Sequence, residues 1–393
     1  VLDVPTLSVA VILVMALSSL ALIAHWLANR TVVGMGSLAV GLTVVSVGEA
    51  LIFAHSNDGS EYWVMIGYIC VLLGHMWYWL GLADFWQART RLLAFVAKAV
   101  TAFGVLGAIY LQVEGAEPTH KIILVTLTIA ALATGCAYTI FQALGGGLGF
   151  YKGIIRRTSV GSAIAAAVFV GHSVYAIYQA MVGLGALPAF AEKWLPLPAL
   201  AQMEIMLFSL GFAMIVIIIT AERLQAELRI QEMLDPLTRA LNRRAFIEVV
   251  KAVLARARRN AEPVSLLMVD IDKFKRINTK YSRAIGDQIL VMFTDMVTEG
   301  RRAQDVFCRF GGEEFVFLLP GTPEEGVSLV AKRIKEKIEN SSFSPTGVPV
   351  KISISMGMVT ARGDDLDADG MLDVVDRRMH HAQKLQFEKI ESA

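Results

Sequence analysis

Cysteine is scarce in this sequence: three in 393 residues, with no Cys-x-x-Cys pair. That excludes a disulfide framework and a thiolate metal site. A basic surplus is missing too. Lysine and arginine total 36 against 35 acids, a formal net charge of +1. With no basic domain, nucleic acid is not an expected partner. Charge of either sign is thin, at 18% of residues. The first apolar run is long and lacks a basic start, so it reads as a span and not as a signal peptide. What is abundant is apolar: 55% of residues are hydrophobic, above the usual globular share, which points to a membrane protein.

The apolar excess ends near Thr220. Seven runs, at 7–27, 32–54, 62–82, 92–113, 122–144, 159–183 and 199–220, each approach the ~20 residues needed to cross a bilayer. Arg30, Arg89, Arg91, Lys152, Arg156 and Arg157 fall in alternate loops. The other loops hold Asp58, Glu61, Glu114, Glu117 and Glu192, with Lys121 and Lys193 as their cations. This asymmetry predicts the N-terminus outside and the C-terminal part in the cytoplasm, with Trp63, Trp86 and Trp194 near the interfaces. The external loops are short, so no folded external domain is expected.

Ionisable groups inside spans are costly and default to function. His75 and His172 fall near one mid-membrane depth, and Glu49 and Glu204 lie together in the outer third. "GHMWY" and "GHSVY" share Gly-His-x-x-Tyr, the trace of an inverted repeat. Two readings stand. The four residues form a membrane ligand site, with haem or another metal on His75 and His172 or a small ligand between them. Otherwise the neutral imidazoles bond between helices.

The segment "AERLQAELRIQEMLD" at 221–235 has no Gly or Pro and puts Ala221, Leu224, Leu228 and Gln231 at alternating spacings of three and four. It reads as a helix continuing from the seventh run, about two heptads long, pairing with its twin, or as a solvated connector. Beyond it the pattern is β-α-β-β-α-β-α. A buried strand ends in "VDID", followed by a helical region at 278–298, a hairpin at 306–319, a helix at 324–339, a strand at 351–359 and a helix at 370–386. The expected architecture is an all-α seven-helix membrane domain at 1–220, a helical linker at 221–234 and an α/β domain at 235–393 with a mostly antiparallel central sheet.

"CRFGGEEFVFLLP" reads as strand, two-glycine turn and strand, with Glu313 and Glu314 crowded at the tip. Alone, those acids read as solvated turn charges. With "VDIDKFKRIN" and "GDQIL" ahead of them, the ordered set resembles the GGDEF family, whose diguanylate cyclases join two GTP molecules into cyclic di-GMP. The resemblance runs from about Asp235 to the end of the sequence and implies a palm-like fold. It also implies Mg²⁺ or Mn²⁺ on Asp270, the Ile271 carbonyl and Glu313, with Glu314 as a further ligand or catalytic carboxylate. Hard cations between carboxylates and phosphate oxygens would explain the crowded charge.

By the same resemblance, the amides of Phe274 and Lys275 face phosphates, Asn278 and Asp287 read guanine, and Gly311 and Gly312 leave room for nucleotide. Helix capping is the other reading of Asn278 and Asp287. Asp272 reads equally as a strand-end structural residue. "RAQD", Arg302 to Asp305, resembles the family's RxxD inhibitory product site, with Arg333 as partner arginine; otherwise Arg302 is a solvated charge. One domain holds one GTP, so a homodimer is implied. A bilayer and a bacterial inner membrane complete the expected setting.

Three departures from the family pattern stand out. N-D-x-x-G-H reads Asn278-Thr279-Lys280-Tyr281-Ser282-Arg283, and D-x-L-T-G-L has Arg239 for Gly. Near the end, "VDRRMHHAQKLQF" places Gln383 and Phe387 where Lys and Arg clamp the triphosphate; Lys384 compensates only if the helix shifts. The expectation is therefore a membrane-bound, homodimeric diguanylate cyclase with product inhibition, regulated through its spans. The alternative is a catalytically degenerate receptor for cyclic di-GMP or GTP. A transporter is a third reading, but no pathway of paired charges supports it.

Overall fold

A computed structural model describes residues 4–55, 60–145, 160–188, 197–345, 347, 349–365 and 367–391. Asp58, Lys152, Arg156, Arg157, Glu192, Lys193 and Trp194, used above for orientation, lie outside them. The chain divides into two compact units, Val1–Gln225 and Ala226–Ala393.

The first unit is helical: α1 (Val4–Ala28), α2 (Met35–His55), α3 (Glu61–Phe85), α4 (Arg91–Val113), α5 (Pro118–Gly145), α6 (Val160–Gly183) and the part of α7 (Leu197–Met233) up to Gln225. Among the described residues, these seven are long and apolar enough to cross a membrane. The second run was expected from residue 32; it starts at Met35, because the chain turns at Gly34, where φ is +90. α7 joins the last apolar run and the expected linker in one helix.

These helices are apolar on most sides, with large apolar side chains both outside and inside. Leu13, Phe95 and Phe103 point outward at 59%, 68% and 71% exposure, while Leu38, Leu42, Tyr78 and Phe212 fill the interior. Two ion pairs sit near helix ends: Lys121 pairs with Glu61 at 3.3 Å, and Arg89 with Asp84 at 2.7 Å.

α2 and α3 meet along glycines spaced by seven: Gly34, Gly41 and Gly48 against Gly81, Gly74 and Gly67. A Cβ added at Gly41 would meet the Gly74 carbonyl oxygen at 2.9 Å, and one at Gly48 the Gly67 oxygen at 2.7 Å. Without side chains here the two backbones touch, as small residues permit between packed helices. Glu49 and His75 follow Gly48 and Gly74 directly, so this contact sets where they stand.

The second unit is a five-stranded sheet in the order β1-β3-β4-β2-β5. Its strands are β1 (Leu241–Asn242), β2 (Val264–Ile271), β3 (Val306–Arg309), β4 (Glu314–Pro320) and β5 (Ile354–Ala361). β2 pairs antiparallel with β4 and β5, and β3 antiparallel with β4, but β1 runs parallel to β3. The sheet is thus mixed and mostly antiparallel. All eight residues of β2 are buried, as a central strand covered on both faces must be.

Its helices are α8 (Arg243–Asn260), α9 (Phe274–Tyr281), α10 (Arg283–Thr298), α11 (Glu324–Glu339) and α12 (Ala368–Glu391). Asn242 caps α8, its Oδ1 accepting from the Ala245 amide at 3.0 Å. Phe246, Val249, Val250 and Val253 then face the core at helical spacing. α11 falls where its pattern predicts. The expected single helical region at 278–298 is instead two helices, broken at Ser282, whose φ of 99 and ψ of 157 no helix accommodates. β5 starts at Ile354, three residues later than expected, and α12 runs from Ala368. In α12, side chains 386–391 lie outside the description, Phe387 with them.

Candidate functional site

The site forms where β2 ends. Asp270 sits opposite Glu314 in the β2–β4 register and opposite Ser355 of β5, and the Ile271 amide donates to the Glu313 carbonyl at 3.3 Å. Strand pairing therefore gathers Asp270, Ile271, Glu313 and Glu314 at one sheet end. Burial first, then the charges of Glu313, Glu314 and Asp272, push the Asp270 carboxyl up to about 7. A donor set of crowded oxygens with mutual repulsion fits a hard divalent cation.

Beyond β2, Asp272 bonds the Ser355 hydroxyl at 2.7 Å, which suits a strand-end role. Lys273 adopts φ 56 and turns the chain into α9. The amides of Phe274 and Lys275 thus open a helix, where the first N–H groups have no partner within the helix. Asn278 lies inside α9 and Asp287 inside α10, so neither caps a helix start. Asn278 Oδ1 is buried with no partner among the described residues, packed against Gly286. An orphaned amide oxygen there is available to a ligand's N–H.

The β3–β4 connection spans residues 310–313 and so is longer than a two-residue turn. Arg309 organises it: Nε and Nη2 donate to the Gly312 carbonyl at 3.0 and 2.8 Å, and Nη1 to Asp235 at 3.0 Å. Asp235 also accepts from the Thr238 amide and hydroxyl, each at 2.8 Å. Burial pushes the Asp235 carboxyl up, but these bonds and the Arg309 charge hold it below its usual value. A Cβ on Gly311 would collide with the Glu314 carboxylate, whereas Gly312 faces open space. Gly311 thus makes room for an acid of this same chain.

Two residues absent from the sequence reading join the site. Asp376 and His380 of α12 bring ligand atoms within 4.8 Å of Glu314, a group able to hold a metal ion. Their i, i+4 spacing was the available signal. Gln383 donates to Asp270 Oδ1 at 3.0 Å, from the position where the resemblance expects lysine.

In the RAQD segment, Asp305 is buried and accepts from the Arg302 amide at 3.0 Å; its bond is to that backbone and not to the guanidinium. Its second oxygen is buried without a partner among the described residues. Burial raises its carboxyl, opposed by that amide bond and by the charges of Arg302, Arg301 and Arg333. Arg302 and Arg333 are exposed.

In the first unit, His75 Nε2 faces His172 Nε2 at 3.1 Å, and His172 Nδ1 faces Glu204 Oε1 at 2.7 Å. Glu49, also drawn from the sequence, lines the same cavity of about 420 Å³. The imidazoles are hydrogen-bonded to one another. Trans ligands of a haem iron would stand about 4 Å apart, at ~2 Å per metal–nitrogen bond, so the arrangement does not match the expected haem pair.

Residues 232–389 match the family model described as diguanylate cyclase, GGDEF domain. Diguanylate cyclase DosC of Escherichia coli (strain K12) is 30% identical over 159 residues, covering 40% of this chain and 34% of that protein. Diguanylate cyclase DgcP of Pseudomonas aeruginosa is 32% identical over 159 residues, 40% of this chain and 24% of that one. The chain therefore spans about a third or less of these relatives. Among solved structures, the coiled coil and GGDEF domain of DgcB from Caulobacter crescentus in complex with c-di-GMP aligns at 20% identity. It covers 42% of this chain and 89% of that one, with a TM-score of 0.40. From the hairpin acids, the strand-end aspartate and the family match, the C-terminal part of this chain is a GGDEF domain.

Proposed function

We propose that this chain is a membrane-bound diguanylate cyclase that condenses two GTP into cyclic di-GMP and two pyrophosphates as a homodimer. The observation that carries the reading is the pairing of Asp270 with Glu314 across β2 and β4, with Glu313 beside them. The named cyclases above support the same activity.

Asp270, the Ile271 carbonyl and Glu313 would hold a divalent cation, Mg²⁺ or Mn²⁺. When bound, that ion neutralises phosphate charge and acidifies a coordinated hydroxyl. Asn278 and Asp287 orient the base, and the opening amides of α9 take phosphate oxygens. In the reaction, the 3′-oxygen of one GTP bonds to the α-phosphorus of the other, and the bond to the β-phosphate oxygen breaks. Glu314 takes the hydroxyl proton and pyrophosphate leaves; the reciprocal step closes the ring. Each domain supplies one GTP, so two copies must face one another.

Product inhibition at Arg302, Asp305 and Arg333, and control by the membrane unit, belong to the same proposal. The unpartnered Asp305 oxygen supports the first, and the unbroken helix α7 the second. Gln383 favours a second reading, because a neutral amide on Asp270 adds no positive charge for a triphosphate. On that reading the domain is a receptor.

The deciding experiment incubates the full chain, purified in detergent, with GTP and Mg²⁺ and detects cyclic di-GMP by mass spectrometry. Glu314→Gln should lower the rate by at least about 10²-fold, and Arg302→Ala should let product accumulate further before turnover stops. Wild-type protein that binds cyclic di-GMP but makes none would establish the receptor reading instead.

A further inference from the structure

The cavity in the first unit has a charge balance that its hydrogen bonds determine. The Val71 carbonyl, 2.8 Å from His75 Nδ1, can only accept, so His75 carries its proton on Nδ1. His75 Nε2 is then an acceptor, and His172 must donate to it from Nε2. His172 Nδ1 and Glu204 Oε1, at 2.7 Å, share one further proton. Whichever atom holds that proton, the chain from Val71 to Glu204 is neutral as a whole.

Glu49 is the acid left over. It lines the cavity with no hydrogen bond or ion pair to any described residue. Among the described residues, no lysine or arginine lines the cavity. A carboxylate at this depth either keeps a proton or takes a cation. The walls suit an organic cation. Phe208, stacked on His172 with centroids 3.9 Å apart, lines the cavity together with the aromatic rings of Tyr68 and Tyr175. Tyr78 lines the same space, and its hydroxyl is buried without a partner among the described residues.

Other ligand classes fit less well. Among the described residues, an anion would find no cationic side chain in the lining. A metal ion needs at least three converging ligands, and the two imidazole Nε2 atoms are spent on each other. Among the described residues the one group of three metal-ligating side chains lies in the second unit. The volume, about 420 Å³, suits a small organic molecule.

We propose that this cavity binds a small amphipathic organic cation, a protonated amine whose ammonium pairs with Glu49 and whose apolar body lies against Phe208 and the tyrosines. The inference stands apart from the cyclase reading, because its readout is binding.

The test uses the full chain in detergent micelles near neutral pH and a panel of primary amines graded in size, from ethylamine through 2-phenylethylamine to tryptamine. 2-Phenylethanol serves as the uncharged isostere of 2-phenylethylamine. Binding is measured by calorimetry and by the shift in unfolding temperature. At least one amine should bind, its alcohol at least about tenfold more weakly, and Glu49→Gln should weaken amine binding by at least about tenfold. Glu336→Gln, an exposed acid of α11, should change nothing. Should Glu49→Gln fail to fold, the amine and alcohol on wild-type protein still decide. Equal binding of amine and alcohol, undiminished binding to folded Glu49→Gln, no binding by any amine, or binding of zinc chloride alone would each overturn the proposal.

Discussion

Arg309 carries more of the site than its place in "CRFGG" announces. By holding the Gly312 carbonyl with two N–H groups and Asp235 with a third, it ties the hairpin tip to the turn where the domain begins. Asp235 accepts three hydrogen bonds in its ionised form, which hold its carboxyl below the usual carboxylate value. A carboxyl depressed on folding stabilises the fold above its unfolded pKa and loses that contribution as pH falls through its folded value. Asp235→Asn should therefore lower the unfolding temperature of the C-terminal unit at about pH 7. The gap to wild type should narrow as pH falls below the ordinary carboxylate range, measured by thermal unfolding in micelles. A second expectation concerns Gly311. A methyl there displaces the Glu314 carboxylate, so Gly311→Ala should cut cyclic di-GMP formation by at least about tenfold while shifting the unfolding temperature little.

At the scale of elements, what the sequence disclosed depended on how local the cause was. The seven apolar runs, α11 and the acid pair on the hairpin were legible because periodicity and turn residues act over a few positions. The break between α9 and α10 was not, since nothing in "TKYSRAIG" forbids one helix through it. Yet the departures from the family pattern turn out to have a backbone meaning. Arg239 and Ser282 stand where the resemblance expects glycine, and both have positive φ, 58 and 99. The glycine conformations have been kept without the glycines. Ser282→Gly should therefore raise stability by about 1 kcal/mol or more, read as a higher urea midpoint. The approach of Asp376 and His380 to Glu314 was equally hidden, because it depends on how α12 lies over β5, where Gly357 lets the helix backbone come close. The seven-residue glycine spacing of α2 and α3 was present in the sequence, but it gains sense only once the two helices are seen in contact.

For the molecule as a whole, the proposed chemistry needs two copies, and α7 offers a surface for them. Leu228, on the part of α7 beyond the apolar run, is 59% exposed in the single chain. An apolar residue at heptad spacing on such a helix fits pairing with a second copy. Leu228→Asp should shift the protein toward monomer by light scattering and lower cyclic di-GMP formation per chain by roughly tenfold. If the variant stays as dimeric and active as wild type, pairing does not run through this face.

The glycine seam between α2 and α3 has one more consequence. Backbone against backbone, with carbonyl oxygens lodged where side chains would otherwise be, these two spans cannot slide past each other by a turn without collision. Glu49 and His75 therefore travel as one piece, and His75 reaches α6 through a single imidazole contact. A guest seated on Glu49 would act as a wedge against that contact, prying a rigid pair of spans away from its neighbours instead of bending either one.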